Sequence, residues 1–131
     1  MPYGDKLPVE IERVATEIVD SAYKVHRELG PGLLESIYET CLAYELTKRG
    51  LRVERQVQST VIYDGVRLDA GLRIDLLVEG LVIVENKAVE KMIPLFEAQV
   101  LTYLKLTQKR LGLLINFNVA VFTEAVKRII L

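Results

Sequence analysis

The first part of the chain repeats apolar residues every three or four positions, which is the period of an amphipathic helix. One run begins at Ile11 and stops at Gly30-Pro31-Gly32, a tripeptide that ends helices. A second run begins at Leu34 and closes with Lys48 and Arg49, two cations that suit a helix C-terminus. The pattern predicts two helices, over residues 9–29 and 33–49.

After residue 51 the period changes to two, which is the period of a strand. Val53, Val57 and Val61 alternate with polar residues, and Asp64-Gly65 is a dipeptide typical of a tight hairpin turn. Pro94 marks the start of a third helix. After the turn the pattern predicts strands over residues 67–78 and 81–88, a helix over 94–107, a strand over 111–117 and a short last strand over 126–131.

Composition narrows the class of protein. The chain has 131 residues, half of them hydrophobic, and we expect residues 1–131 to form one domain with a substantial core. The formal charge of −1 excludes a broad basic excess, although a local basic groove stays compatible with it. Cys41 is the single cysteine, so no internal disulfide can form. With no signal peptide and no apolar run long enough for a bilayer, we expect a soluble cytoplasmic protein that does not contact membranes.

Three charged residues interrupt the two apolar strands at 72–88. Glu85 and Lys87 are two apart and project from one face of their strand. Asp75 lies on the preceding strand, on the face opposite Leu72, Ile74 and Leu76. If the strands pair, two carboxylates and a cation meet, which suits a divalent metal and a lysine that orients water. The alternative is an ordinary surface ion pair of Glu85 with Lys87, and of Asp75 with Arg73.

The turn at Glu79-Gly80 decides between these alternatives. In an antiparallel hairpin the numbers of opposed residues add to a constant, and opposed residues share a face. A two-residue loop makes the constant 159 and separates Asp75 from Glu85. A three-residue loop or a bulge makes the constant even and brings the two acids to one face. We predict an odd loop or a bulge between these strands, and Gly80 supports the odd loop because glycine adopts the left-handed conformation freely.

Other chemistry-bearing residues are individually weak signals. Glu35 lies in the first turn of the second helix, where an acid also suits the helix dipole, and Tyr38 follows one turn later. Gln99 and Tyr103 are four apart and share a face of the third helix, as a half-buried amide and an amphipathic tyrosine also would. We nevertheless expect Glu35 to point towards the acids, and Gln99 and Tyr103 to face the same cleft.

The stretches VHRELGPGLLESIYE, RIDLLVEGLVIVENKAV, EAQVLTYLKL and LGLLINF together resemble the GxxExxY proteins, a group placed in the PD-(D/E)xK nuclease superfamily. Gly32, Glu35 and Tyr38 form the GxxExxY signature. The resemblance implies an α/β fold: a restriction-endonuclease-like core with a mixed sheet flanked by helices, in the rough order α-α-β-β-β-β-α-β-β. It implies that the D…ExK site is made by Asp75, Glu85 and Lys87, with Gln99 and Tyr103 as a Gln-x-x-x-Tyr motif and Glu35 as a further acid.

The function that the resemblance implies is metal-dependent hydrolysis of phosphodiester bonds in DNA or RNA. Asp75, Glu85, the Asn86 carbonyl and Glu35 would hold Mg²⁺ or Mn²⁺, and Lys87 would orient the attacking water. Lys48, Arg49, Arg52, Arg55 and Lys91 are candidates for a basic rim that contacts phosphates, or for a solvated face.

Two rival hypotheses remain at the level of sequence. In the first, the fold is a catalytically silent module that binds nucleic acid or a protein partner. In the second, the charges form a purely structural cluster. A chain of this length without a basic excess also leaves room for a homodimer or a partner protein that helps to grip the substrate.

Overall fold

The computed structural model describes residues 6–131 and contains three long helices and five strands. Helix α1 is amphipathic and ends at Gly30, whose φ of 68° an L-residue with a side chain rarely adopts. Helix α3 begins with Pro94 at its first position, where the missing N–H costs nothing. A short 3₁₀ turn, Phe122–Glu124, precedes the last strand. The elements are α1 Val9–Leu29, α2 Glu35–Lys48, β1 Val53–Tyr63, β2 Val66–Val78, β3 Val82–Lys87, α3 Pro94–Thr107, β4 Leu111–Asn116 and β5 Val126–Ile130.

The strands form one mixed sheet in the order β1-β2-β3-β4-β5. Only β3 and β4 are parallel, and α3 is the crossover between them. The α/β fold with a mixed sheet is therefore confirmed. The expected four strands before α3 are wrong, because three are found there. A register shift between Ser59 and Val61, and Gly71 at a φ of 76°, disturb the β1–β2 ladder without dividing β2.

Two apolar clusters lie on the two faces of the sheet. The larger is formed with α1 and α2 and contains Leu76, Val84 and Leu113. The smaller is formed with α3 and contains Ile83, Val100 and Leu114. Gly112 on β4 allows the close approach of α3, because a Cβ there would collide with the side chain of Val100. Helix α3 is thus held against β4 and against β3, which carries Glu85 and Lys87.

Side chains of a regular strand alternate between the two faces of the sheet, and in β1 and β2 this alternation is interrupted once, at Gln56 and Asp75. Ile74 belongs to the smaller cluster and Leu76 to the larger, so the expectation that both share a face with Leu72 is wrong. Across the ladder Val53 and Val57 are divided in the same way. The physical reason is local backbone twist at Gln56, a non-glycine residue with a φ of 51°.

No helix within residues 6–131 has the length and apolar character needed to cross a membrane.

Candidate active site at the fork between β2 and β3

The loop between β2 and β3 has three residues. Val78 pairs with Val82, Leu77 with Ile83 and Leu76 with Val84, so opposed numbers add to 160. Gly80 has a φ of 66°, and Glu79 also lies in the left-handed region at 55°. The predicted odd loop is therefore confirmed, and the register directs Asp75 towards Glu85.

Beyond Leu76 and Val84 the two strands separate, and side chains replace the backbone ladder. The Asp75 N–H donates to Oε2 of Glu85 at 2.8 Å, and the Asn86 N–H donates to Oδ2 of Asp75 at 2.9 Å. Each carboxylate thus bonds to the opposite strand through one oxygen. Within the described part of the chain, Oδ1 of Asp75 and Oε1 of Glu85 accept no hydrogen bond from a protein group.

The backbone carbonyl of Asn86 is directed towards the same fork. Successive residues of a strand point their backbone groups to opposite edges. The Lys87 carbonyl accepts from the Phe117 N–H at 2.9 Å, on the β4 side. The Asn86 carbonyl must therefore point to the β2 side, where its N–H already meets Asp75. Three oxygen donors, two from carboxylates and one from the backbone, converge on the fork.

Burial makes this pair of carboxylates electrostatically costly. Glu85 is only 8% exposed. Burial, followed by the neighbouring charge of Asp75, raises the pKa of Glu85 to about 8. Burial likewise raises the pKa of Asp75, and the hydrogen bond from Asn86 opposes that rise. Within residues 6–131 neither Glu85 with Lys87 nor Asp75 with Arg73 forms an ion pair within 4.0 Å, so the surface-ion-pair alternative is wrong there.

The fork opens into a cleft of about 510 Å³. Gln99 and Tyr103 reach it from α3, and Glu35 lies exposed at its mouth, at the start of α2. Partial burial and then the charge of Asp75 raise the pKa of Glu35, and burial and then Glu85 raise that of Tyr103. The full lining is Glu35, Gln58, Gly71, Arg73, Asp75, Glu85, Lys87, Gln99 and Tyr103.

Lys87 lies over an aromatic ring. Its Nζ is 4.3 Å from the ring centroid of Phe96, a half-buried residue in the first turn of α3. No ion pair within the described residues holds its ammonium group. Phe96 therefore directs the ammonium group without neutralising it. The sequence contains no signal for this contact, because Phe96 reads as an ordinary apolar residue of α3.

Tyr38 controls where α2 begins. Its side chain is fully buried and its ring stacks on Phe117 with centroids 4.7 Å apart. Its hydroxyl donates to the Gly30 carbonyl at 2.6 Å and accepts from the Leu33 N–H at 3.1 Å. These bonds fold the loop between α1 and α2 over the tyrosine. Tyr38 thus bonds to the loop on either side of Gly32 and fixes the loop from which Glu35 starts the helix.

The donor set fits a hard cation without being a closed cage. Within residues 6–131 no three side chains of His, Cys, Asp or Glu lie close enough together to hold a metal. Glu35 thus does not join Asp75 and Glu85 in a single cluster. Two carboxylates, a backbone carbonyl and an open cleft are typical of Mg²⁺, which keeps several of its waters.

The expected basic rim is largely engaged elsewhere. Lys48 lies 3.5 Å from Glu45, Arg49 pairs with Glu17, Asp20 and Glu45, and Arg55 pairs with Glu39. The cation that sequence reasoning passed over is Arg73, which lines the cleft with Gln58. Its position two residues before Asp75 was the available signal.

Comparison with known proteins agrees with this geometry. No curated protein and no solved structure matches the chain significantly. The family model described as the PD-(D/E)XK nuclease superfamily matches residues 12–129, which include both strands of the fork and the cleft residues of α2 and α3. That superfamily generally uses divalent metals. With a match over most of its length, the chain belongs to the PD-(D/E)XK nuclease superfamily.

Proposed function

We propose that this protein is a metal-dependent nuclease of the GxxExxY group that hydrolyses phosphodiester bonds, with DNA as the first substrate to test. One observation carries the proposal: the buried carboxylate of Glu85 and the half-buried carboxylate of Asp75 each leave one oxygen free beside an unneutralised lysine. Placing two acids together in a poorly solvated fork is unfavourable, as the raised pKa of Glu85 shows. A divalent cation would offset that cost.

Asp75, Glu85 and the Asn86 carbonyl would hold Mg²⁺ or Mn²⁺, and Glu35 would contact it through water. The ion would supply Lewis-acid stabilisation of the phosphate and a more acidic water. Lys87 would position the attacking water or stabilise negative charge on the phosphate oxygens. Arg73, Gln99 and Tyr103 would contact the substrate strand along the cleft.

The test is cleavage of labelled single- and double-stranded DNA and RNA with Mg²⁺ or Mn²⁺. We expect Lys87→Met to lower the cleavage rate by about 100-fold, as removal of one charged stabilising group does. Lys105→Met is the matched control, because Lys105 is exposed on α3 outside the cleft. Equal rates for wild type and Lys87→Met would contradict the assigned role.

Calorimetric titration with Mg²⁺, combined with the cleavage assay, separates this proposal from its rivals. A nuclease binds Mg²⁺, loses that binding in Asp75→Ala and cleaves at least one substrate. A silent module that keeps the metal site binds Mg²⁺ but cleaves nothing. A structural charge cluster binds no metal at all.

A further inference from the structure

Glu39 is a second acid on α2, one turn after Glu35, and it was not singled out by its sequence position. It is 6% exposed, although it carries a charge. Its Oε1 accepts from Nε2 of Gln56 at 2.7 Å, and its Oε2 accepts from Arg55, with the closer nitrogen 3.1 Å away. Both oxygens are thus engaged, so Glu39 is not an open metal ligand. It connects α2 to two consecutive residues of β1.

Gln56 occupies an unusual backbone position. Its φ of 51° lies in the left-handed region, which non-glycine residues adopt only when their surroundings impose it. The ladder pairs Arg55 with Leu76 and Val57 with Ile74, but the intervening residues, Gln56 and Asp75, are not paired. The residue opposite this unfavourable conformation is therefore the candidate metal ligand.

The interrupted alternation of side chains at Gln56 and Asp75 has a direct effect on Asp75. Because β1 and β2 both rotate there, Ile74 turns to the α3 face and Leu76 to the α1–α2 face. Asp75 lies at the point of rotation, where its N–H is released from β1 and reaches Glu85 instead. A regular strand at this level would pair Asp75 with Gln56, and the Asp75 N–H would then not be available to Glu85. Glu39 also lies near enough to contribute to the raised pKa of Asp75.

We propose that Glu39 is a positioning residue: by holding the side chains of Gln56 and Arg55 it maintains the left-handed conformation at Gln56, which in turn places Asp75 in the fork. The inference rests on the proposed function only for its metal readout. The predicted effect of Glu39 on the position of Asp75 does not depend on metal, and it is tested first in the metal-free protein.

The first measurement is amide hydrogen exchange and ¹⁵N chemical shift of Asp75 and Asn86 without metal. Glu39→Ala should remove the clamp, break the hydrogen bond from the Asp75 N–H to Glu85, shift the ¹⁵N resonance of Asp75 and change its exchange rate at least about tenfold relative to wild type. Glu45→Ala is the matched control. Glu45 is on the same helix, is 7% exposed and is ion-paired with Lys24, Lys48 and Arg49, but it contacts neither Gln56 nor the cleft. It should lower stability and leave the Asp75 amide unchanged.

The second measurement is Mg²⁺ affinity by calorimetry. Loss of a residue that orients a ligand typically weakens metal binding 10- to 100-fold, and we expect a loss in this range for Glu39→Ala. The decisive variant is Glu39→Ala combined with Gln56→Gly. Glycine adopts a positive φ without a clamp, so the double variant should recover affinity to within about threefold of wild type.

The outcomes are distinct. If wild type binds no Mg²⁺ but Glu39→Ala still perturbs the Asp75 amide, the proposed function fails and the positioning role holds. If Glu39→Ala leaves the Asp75 amide as in wild type, or if Gln56→Gly restores neither readout, the positioning role is overturned. Should Glu39→Ala not fold, the same comparison is made with Glu39→Gln, which keeps an acceptor for Gln56 but loses the charge that holds Arg55.

Discussion

At the scale of single residues, Glu85 gives the protein an unusual dependence of stability on pH. Its pKa of about 8 exceeds the ordinary value of 4.5, so the folded state binds the proton more tightly than the unfolded state. The resulting stabilisation is present in full below about pH 4.5 and is lost as the pH rises through 8. Metal-free protein is thus expected to become less stable between those values.

Glu85→Gln should abolish most of that loss, because glutamine fits the same space, can accept from the Asp75 N–H and does not ionise. We expect the variant to match wild type near pH 5 and to exceed it at pH 9 by on the order of 3 kcal/mol in the free energy of unfolding. Urea unfolding with a chelator at several pH values measures this. Glu90→Gln is the control, since Glu90 is exposed. Identical slopes for wild type and Glu85→Gln would refute the assignment.

At the scale of elements, the loop between α1 and α2 depends on one hydroxyl. Tyr38→Phe keeps the stacked ring but leaves the Gly30 carbonyl and the Leu33 N–H without their partner. We expect a loss of about 1–2 kcal/mol in the free energy of unfolding and faster amide exchange over residues 30–35. Tyr44→Phe, at a site 67% exposed, should change neither measurement. An unchanged loop in Tyr38→Phe would mean that packing alone holds α2 in place.

Most element boundaries could be predicted, because they depend on local chemistry. Helices α1 and α3 begin and end where the apolar period, Pro94 and the glycines at 30 and 32 indicate. The odd length of the β2–β3 loop could be predicted from Gly80 and from the numbers of the residues that must oppose each other across the hairpin. Each of these features depends on residues that are close together in the sequence.

The parts that escaped prediction depend on contacts between distant residues. We infer that the positive φ of Gln56 depends on Glu39, 17 positions earlier, and the local sequence of β1 does not predict this conformation. The change of side between Ile74 and Leu76 follows from that conformation and reverses a simple alternation rule. Lys87 over Phe96 depends in the same way on how α3 docks.

At the scale of the whole molecule, the distribution of charge predicts weak dependence on salt. The formal charge is −1, and much of the candidate rim is paired with acids of the same chain. Nucleic acid would meet chiefly Arg73 and Lys87. In Lys87→Met, which should bind while cleaving about 100-fold more slowly, the slope of log affinity against log salt should be about −1. A slope steeper than about −4 would indicate phosphate contacts outside the cleft.

The short β2–β3 loop has a consequence for the order of folding. Asp75 and Asn86 are separated by 11 positions, so this hairpin brings the acids together by closing a small loop, which takes microseconds. The parallel β3–β4 pair needs the whole α3 crossover and closes later. We expect a half-folded chain to bring both carboxylates near each other in water, where their repulsion is small, before Glu39 on α2 fixes the position of Asp75. The docking of the helices then dehydrates them, which makes assembly of the core the step that proton uptake or a divalent ion accelerates.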